Sequence, residues 1–149
     1  MTNNNLFQRL SVHSPSLEFL QLNATPIAFN SPTFCQDLND FVQDASENLH
    51  QFASRLRFIQ MGHSQGSYLG MRSDACDHLQ EAMDTIDNIS FSLAFLRVLA
   101  QKVTAAATPR DRTQAISDMQ AIEIVIERNI VACNNIVGHL GKRKKGYYF

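Results

Sequence analysis

Apolar side chains recur at Phe34, Leu38, Phe41, Ala45, Leu49, Phe52, Leu56 and Ile59, in steps of three and four that place them on one face of an α-helix. Ser31-Pro32 precedes this stripe, a serine able to cap free amides followed by a proline preset for a first helical turn. Gly62 offers a left-handed stop. The pattern predicts a helix over about 32–61, roughly 45 Å long at about 1.5 Å per residue.

A second stripe consists of Cys76, Leu79, Met83, Ile86, Ile89 or Ser90, Leu93, Leu96, Ala100 and Val103, behind Ser73 as cap, and predicts a helix over 74–106. Its second half differs. Ile89, Phe91, Leu93, Ala94, Phe95, Leu96, Val98 and Leu99 cover most of the helix circumference, more than one neighbouring helix buries, so this half is central or forms an interface. Thr108-Pro109-Arg110-Asp111 then reads as a threonine cap, a first-turn proline and a carboxylate three residues after the cap. The stripe Ile116, Met119, Ile122 or Glu123, Ile126, Ile130, Cys133, Val137 and Leu140 follows, with Gly138 and Gly141 at its end. It predicts a helix over 109–140, and Ile124 and Val131 fall off the stripe as spare apolar surface. The few residues between the second and third helices force an antiparallel hairpin.

Residues 1–30 carry Leu6, Phe7, Leu10, Val12, Leu17, Phe19, Leu20, Leu22, Ile27 and Phe29 without a long period, with Ser14-Pro15 able to start a short helix through Leu22. The expected fold is all-α: an up-down-up bundle of three long antiparallel helices (31–141), an irregular or short-helical N-terminal arm (1–30) packed on it, and a basic, aromatic tail (142–149).

Composition narrows the class. With 149 residues, 44% hydrophobic and 18% charged, the chain supports one core and is too apolar for a disordered protein. No apolar run approaches the roughly 20 residues of a membrane span; the greasiest stretch, Ile89 to Leu96, is closed by Asp87 and Arg97. Met1 to Asn5 is polar and uncharged, unlike the start of a signal peptide, which places the expected location in the cytoplasm. Cys35, Cys76 and Cys133 are odd in number, widely spread and on helix stripes, as expected of buried thiols without a disulfide. Four of the 13 basic residues are Lys142, Arg143, Lys144 and Lys145; without them nine basic residues face 14 acidic ones, a net charge of −5 that argues against a nucleic-acid surface on the helices.

Candidate chemistry is sparse. Gly62-His63-Ser64-Gln65-Gly66 resembles the nucleophile elbow of α/β-hydrolases, with Asp84 or Asp87 and His139 following in that fold's order. An elbow needs parallel strands before it, where this chain has helical period, so a small serine hydrolase is a minor alternative. Glu47 and His50 have the E-x-x-H spacing of di-iron bundles, but the second such pair and the two further glutamates are missing. Asp74, His78 and Glu81 read as a surface ion-pair group. No cofactor and no metal is expected.

Three surfaces remain. The surplus apolar positions Phe91, Phe95, Val98, Leu99, Ile124 and Val131 are candidates for binding another protein or a second copy of the chain as a homodimer. Acidic ladders at Asp40, Asp44 and Glu47 and at Asp77, Glu81 and Asp84 form a candidate face for a basic partner. Lys142, Arg143, Lys144, Lys145, Tyr147 and Tyr148 form a tail that offers an alternative function, binding nucleic acid or an anionic surface. The expected function is a non-enzymatic helical interaction module of the adaptor, secretion-type chaperone or inhibitor kind.

Overall fold

The computed structural model describes residues 4–11, 20–64 and 75–142. In chain order these form β1 (Asn5–Leu6), α1 (Gln8–Ser11), β2 (Ile27–Ala28), α2 (Phe34–Ser64), α3 (Ala75–Ala105) and α4 (Pro109–Lys142). The fold is an all-α bundle of three long helices, as the stripes predict, and its arm holds a two-stranded antiparallel pair beside a short helix.

Local chemistry sets the helix ends. At α4 the Thr108 hydroxyl accepts the Asp111 N–H at 3.1 Å and the Thr108 carbonyl accepts the Arg112 N–H, the expected cap. At α2 the start falls later than the Ser31-Pro32 signal suggests. Thr33 supplies the first helical carbonyl, accepting the Asp37 N–H at 2.9 Å, while its hydroxyl donates to the Asp37 carboxylate. Ser31 closes the preceding turn, its carbonyl accepting the Phe34 N–H. Nor does α2 stop at Gly62. It runs on to Ser64, because a helical glycine costs only about 1 kcal/mol and the last turns are tied to α3: Gln60 donates its amide to the Cys76 carbonyl at 3.0 Å, and the Cys76 thiol donates back to the Gln60 carbonyl. Ser73, the expected cap of α3, lies outside the described residues.

The Gln60–Cys76 contacts at one end and the Cys35 thiol on the Ala100 carbonyl at the other fix α2 and α3 as antiparallel. Residues 106–108 turn the chain so that α4 packs antiparallel on α3. The central helix is α3, which packs on both neighbours, whereas α2 and α4 make no comparable contact with each other. The arm closes that side: β2 lies on α2, α1 and β1 lie on α4, and the strands pair antiparallel with Asn5 opposite Ala28 and Leu6 opposite Ile27. The four parts form a ring of α2, α3, α4 and arm. The arm takes the place of a fourth helix, and α3 stands diagonally across from it.

Among the described residues the buried apolar side chains join one cluster, to which the arm contributes Leu6, Phe7, Leu10, Leu20, Ile27 and Phe29. The Phe7 ring packs on Phe41 with centroids 4.2 Å apart, and Phe29 packs on Phe34. A helix from Ser14-Pro15 through Leu22 does not form over its described end: residues 20–22 are irregular, and the side-chain amide of Asn134 takes both the N–H and the carbonyl of Leu20, at 2.9 and 2.8 Å. Short helix forms earlier instead, at α1. Phe7, just before it, has φ 68°, a left-handed conformation that strains a non-glycine residue by about 1–3 kcal/mol and persists only where the surroundings hold it.

Candidate functional site

Among the described residues the spare apolar surface resolves into a stripe on α3, a pair on α2 and scattered side chains on α4. Phe91 is 76% exposed, and Phe95 and Val98 are 48% exposed. Their i, i+4, i+7 spacing places them along one side of α3. Leu99 does not belong with them: it turns inward with Leu96 and Val103 and is buried in the core, so it offers no surface. On α4, Ile124 is half-buried and Val131 is exposed. Val125 is exposed as well, but at 3.6 residues per turn it lies about 120° around the helix from Val131, so the two form no common stripe. Phe58 and Met61, which the stripe of α2 also omits, are exposed near the end of the bundle where α3 begins, away from Phe91.

The acidic ladders do not merge into one face. All six residues are exposed, but antiparallel packing sets Asp40, Asp44 and Glu47 toward the end where Cys35 meets Ala100, and Asp77, Glu81 and Asp84 toward the end where Gln60 meets Cys76. Their placement deep in the helices has a local explanation. Gln36 donates to Asp40 at 2.8 Å, Gln43 to Glu47 at 3.3 Å and Gln80 to Asp84 at 3.1 Å, a repeated i, i+4 amide-to-carboxylate contact. Beside the arm, Asp37, Asp40 and Asp44 line a groove of about 340 Å³ with Asn23 and Asn48. Among the described residues there is no cluster of three metal-ligating side chains.

The catalytic and metal motifs are dispersed. Arg57 to Met61, which the elbow reading needs as a strand, lies within α2, and so do Gly62, His63 and Ser64. Gln65 and Gly66 lie outside the described residues. Glu47 and His50 are both exposed. His78 Nδ1 stands 3.8 Å from Glu81 Oε2 as a surface pair, and Asp74 is outside the described residues. Lys142 ends α4; residues 143–149, which hold Arg143, Lys144, Lys145, Tyr147 and Tyr148, lie outside them too.

The most developed polar arrangement is one the periodicity leaves open. Position 122 or 123 fits the third stripe equally, and it is Glu123 that is buried, 4% exposed. Its Oε1 accepts the Phe7 N–H at 2.7 Å; its Oε2 accepts the Arg9 N–H at 2.8 Å and the Leu10 N–H at 3.1 Å. A carboxylate from α4 thereby caps α1 from outside, satisfying amides that a short helix leaves free. Arg9 Nε donates to Glu127 at 2.6 Å, the Asn134 amide grips Leu20, and Arg112 donates to the Phe29 carbonyl at 3.2 Å. Arg112, Glu123, Glu127 and Asn134 are 11, 4 and 7 residues apart, near whole numbers of turns, so one side of α4 carries a row that holds the arm. Three of these four grip backbone groups. A charged residue at a stripe position was the available signal, but the donors it meets lie in the arm, over a hundred residues away.

Burial pushes the Cys133 thiol above its ordinary value of 9.0, with a side-chain hydrogen bond with Thr85 acting in the other direction. Cys35 and Cys76 are half-buried, and all three cysteines are free thiols.

No protein family, curated protein or solved structure matches this chain. The geometry defines a helical bundle closed by its own arm, with an apolar stripe on the outside of α3. No helix of the described residues is long and apolar enough to cross a membrane.

Proposed function

We propose that this chain is a non-enzymatic helical interaction module, which acts by covering the surface of another protein or of a second copy of itself, as adaptors, secretion-type chaperones and inhibitors do. The observation that carries the reading is the exposed row of Phe91, Phe95 and Val98 on α3. Full burial of such a side chain brings about 1.5–3 kcal/mol; Phe91 has most of that to gain, and Phe95 and Val98, 48% exposed, have roughly half. Aromatic anchors of this kind dominate the energetics of protein interfaces. The core does not need them, since the inward side of α3 is filled by Leu79, Ile86, Ile89, Leu93 and Leu96.

The test is to replace Phe91 and Phe95 with aspartate on a surface where neither supports the fold. Wild-type protein is expected to associate, measured as self-association by sedimentation and as retention of a specific protein from a lysate of its source. The variant loses both while keeping the helical circular dichroism spectrum. A wild-type chain that remains monomeric and retains nothing specific overturns the reading.

A further inference from the structure

The outer stripe of α3 extends beyond its apolar centre. Asp84, Asn88, Phe91, Phe95, Val98 and Lys102 follow one another at intervals of 4, 3, 4, 3 and 4 residues, and all six are exposed. This is the a/d spacing of a coiled-coil seam, sustained over about 27 Å of helix. The order of intervals is also the same in both directions, and the reversal point is level with Leu93.

We infer that α3 pairs with α3 of a second copy, antiparallel, about a two-fold axis level with Leu93. This rests on the proposed interaction function and names its partner. Rotation about that axis brings Phe91 of each copy against Phe95 of the other, making two aromatic layers at the centre. Asn88 meets Val98 on either side. Asp84 meets Lys102 at both ends, so the seam closes with opposite charges. In an antiparallel coiled coil each layer joins an a position to a d position, and all six positions obey that rule. The face is self-complementary, as an interface between identical copies must be.

The parallel alternative sets Asp84 against Asp84 and Lys102 against Lys102, like charges at both ends, so the charges select the direction as well as the partner. Both end groups are available. Gln80 occupies only Oδ1 of Asp84, leaving Oδ2, and among the described residues no carboxylate pairs with Lys102. The position of α3 fits the same arrangement, because it stands across the ring from the arm, which closes against α2 and α4. A single-helix seam is at the small end of specific interfaces, so the dimer is expected to be reversible, with a dissociation constant on the order of micromolar.

The test uses the full chain and sedimentation from about 1 to 500 µM. Wild-type protein is expected to form a reversible dimer. Asp84→Lys and Lys102→Asp each place like charges at both ends and weaken it by about tenfold or more. An equimolar mixture of these two variants restores wild-type affinity, since both end contacts of the mixed dimer are again opposite in charge; the double variant D84K/K102D restores it as well. Asn88→Val, which turns two mixed layers apolar, tightens the dimer. All these positions are exposed, and unchanged circular dichroism checks the fold.

A chain that stays monomeric to 500 µM overturns the pairing. So does a dimer indifferent to the charge reversals, or one that the mixture does not rescue. If the monomer still retains a foreign protein through Phe91 and Phe95, the self-pairing fails while the interaction function stands; if it retains nothing, both fail.

Discussion

Replacing Glu123 with glutamine removes a charge while conserving shape, and it tests whether the carboxylate is what holds the arm. Oε2 accepts two N–H groups and Oε1 accepts one, so the least damaging orientation keeps the amide oxygen on Arg9 and Leu10 and turns the NH₂ toward Phe7. That orientation loses one hydrogen bond to a charged acceptor, worth about 1.5–3 kcal/mol, and sets two donors face to face. The other two bonds survive as neutral ones, each weaker by about 1 kcal/mol. Releasing the desolvation of a buried carboxylate offsets part of the sum. A net loss of about 2–4 kcal/mol follows, a large share of the 5–15 kcal/mol typical of a folded domain. The loss is local first, because the strained φ of Phe7 depends on that same N–H contact. Urea unfolding followed by far-ultraviolet circular dichroism measures the total, and amide exchange at Phe7, Arg9 and Leu10 reports the arm. A loss below about 1 kcal/mol with unchanged protection at those three amides would refute the reasoning.

Three further outcomes follow from the same structure. Asn134→Ala strips both hydrogen bonds from Leu20 and is expected to lower stability by about 1–2 kcal/mol, with faster exchange of the Leu20 amide measured by nuclear magnetic resonance. Thr108→Ala removes the cap of α4 and lowers the melting temperature, in line with a loss of about 1 kcal/mol seen in urea titration. Because burial raises the Cys133 pKa, the folded chain holds a proton that the unfolded chain releases. Its stabilising contribution is complete below the ordinary value of 9.0 and is lost as pH rises through the folded value. Urea midpoints across that alkaline range check the fall, which is shallower in Cys133→Ala, and native Cys133 reacts with thiol reagents more slowly than Cys35 or Cys76.

The long helices were legible because their stripes and caps agree. Thr108 caps α4 at the expected residue, and Leu38, Leu49, Leu56, Leu79, Leu93, Met119 and Ile126 are buried as their periods require. The ends were less legible. Gly62 and Ser31 carry real local preferences, but each is worth about a kilocalorie, and contacts from α3 or the neighbouring Thr33 outweigh them. Of the apolar surplus, crowding around α3 marks Phe91, Phe95 and Val98 only as central or interface positions, and the structure places them outside. Leu99 was not separable from them, since near the end of a gently coiling stripe one residue's rotation decides inside from outside. The clamp on the arm could not be read from periodicity at all. Helical spacing shows which side of α4 carries Arg112, Glu123, Glu127 and Asn134, but not what they face; that depends on pairings made across nearly the whole chain.

Those distant pairings bear on how the protein is made. Leu10 and the carboxylate that holds it are 113 residues apart in the chain. At about 5–20 residues per second, a ribosome delivers Glu123 roughly 6–23 s after Leu10. During that interval the amides of Phe7, Arg9 and Leu10 lack the carboxylate that holds them, although Phe7 can already meet Phe41. The α3–α4 hairpin is the last of the helix pairings to be synthesised, so the row on α4 that holds the arm arrives last. Synthesis speed therefore bears on the hold of the arm, and slowing translation between α2 and α4 lengthens the period before that hold is complete.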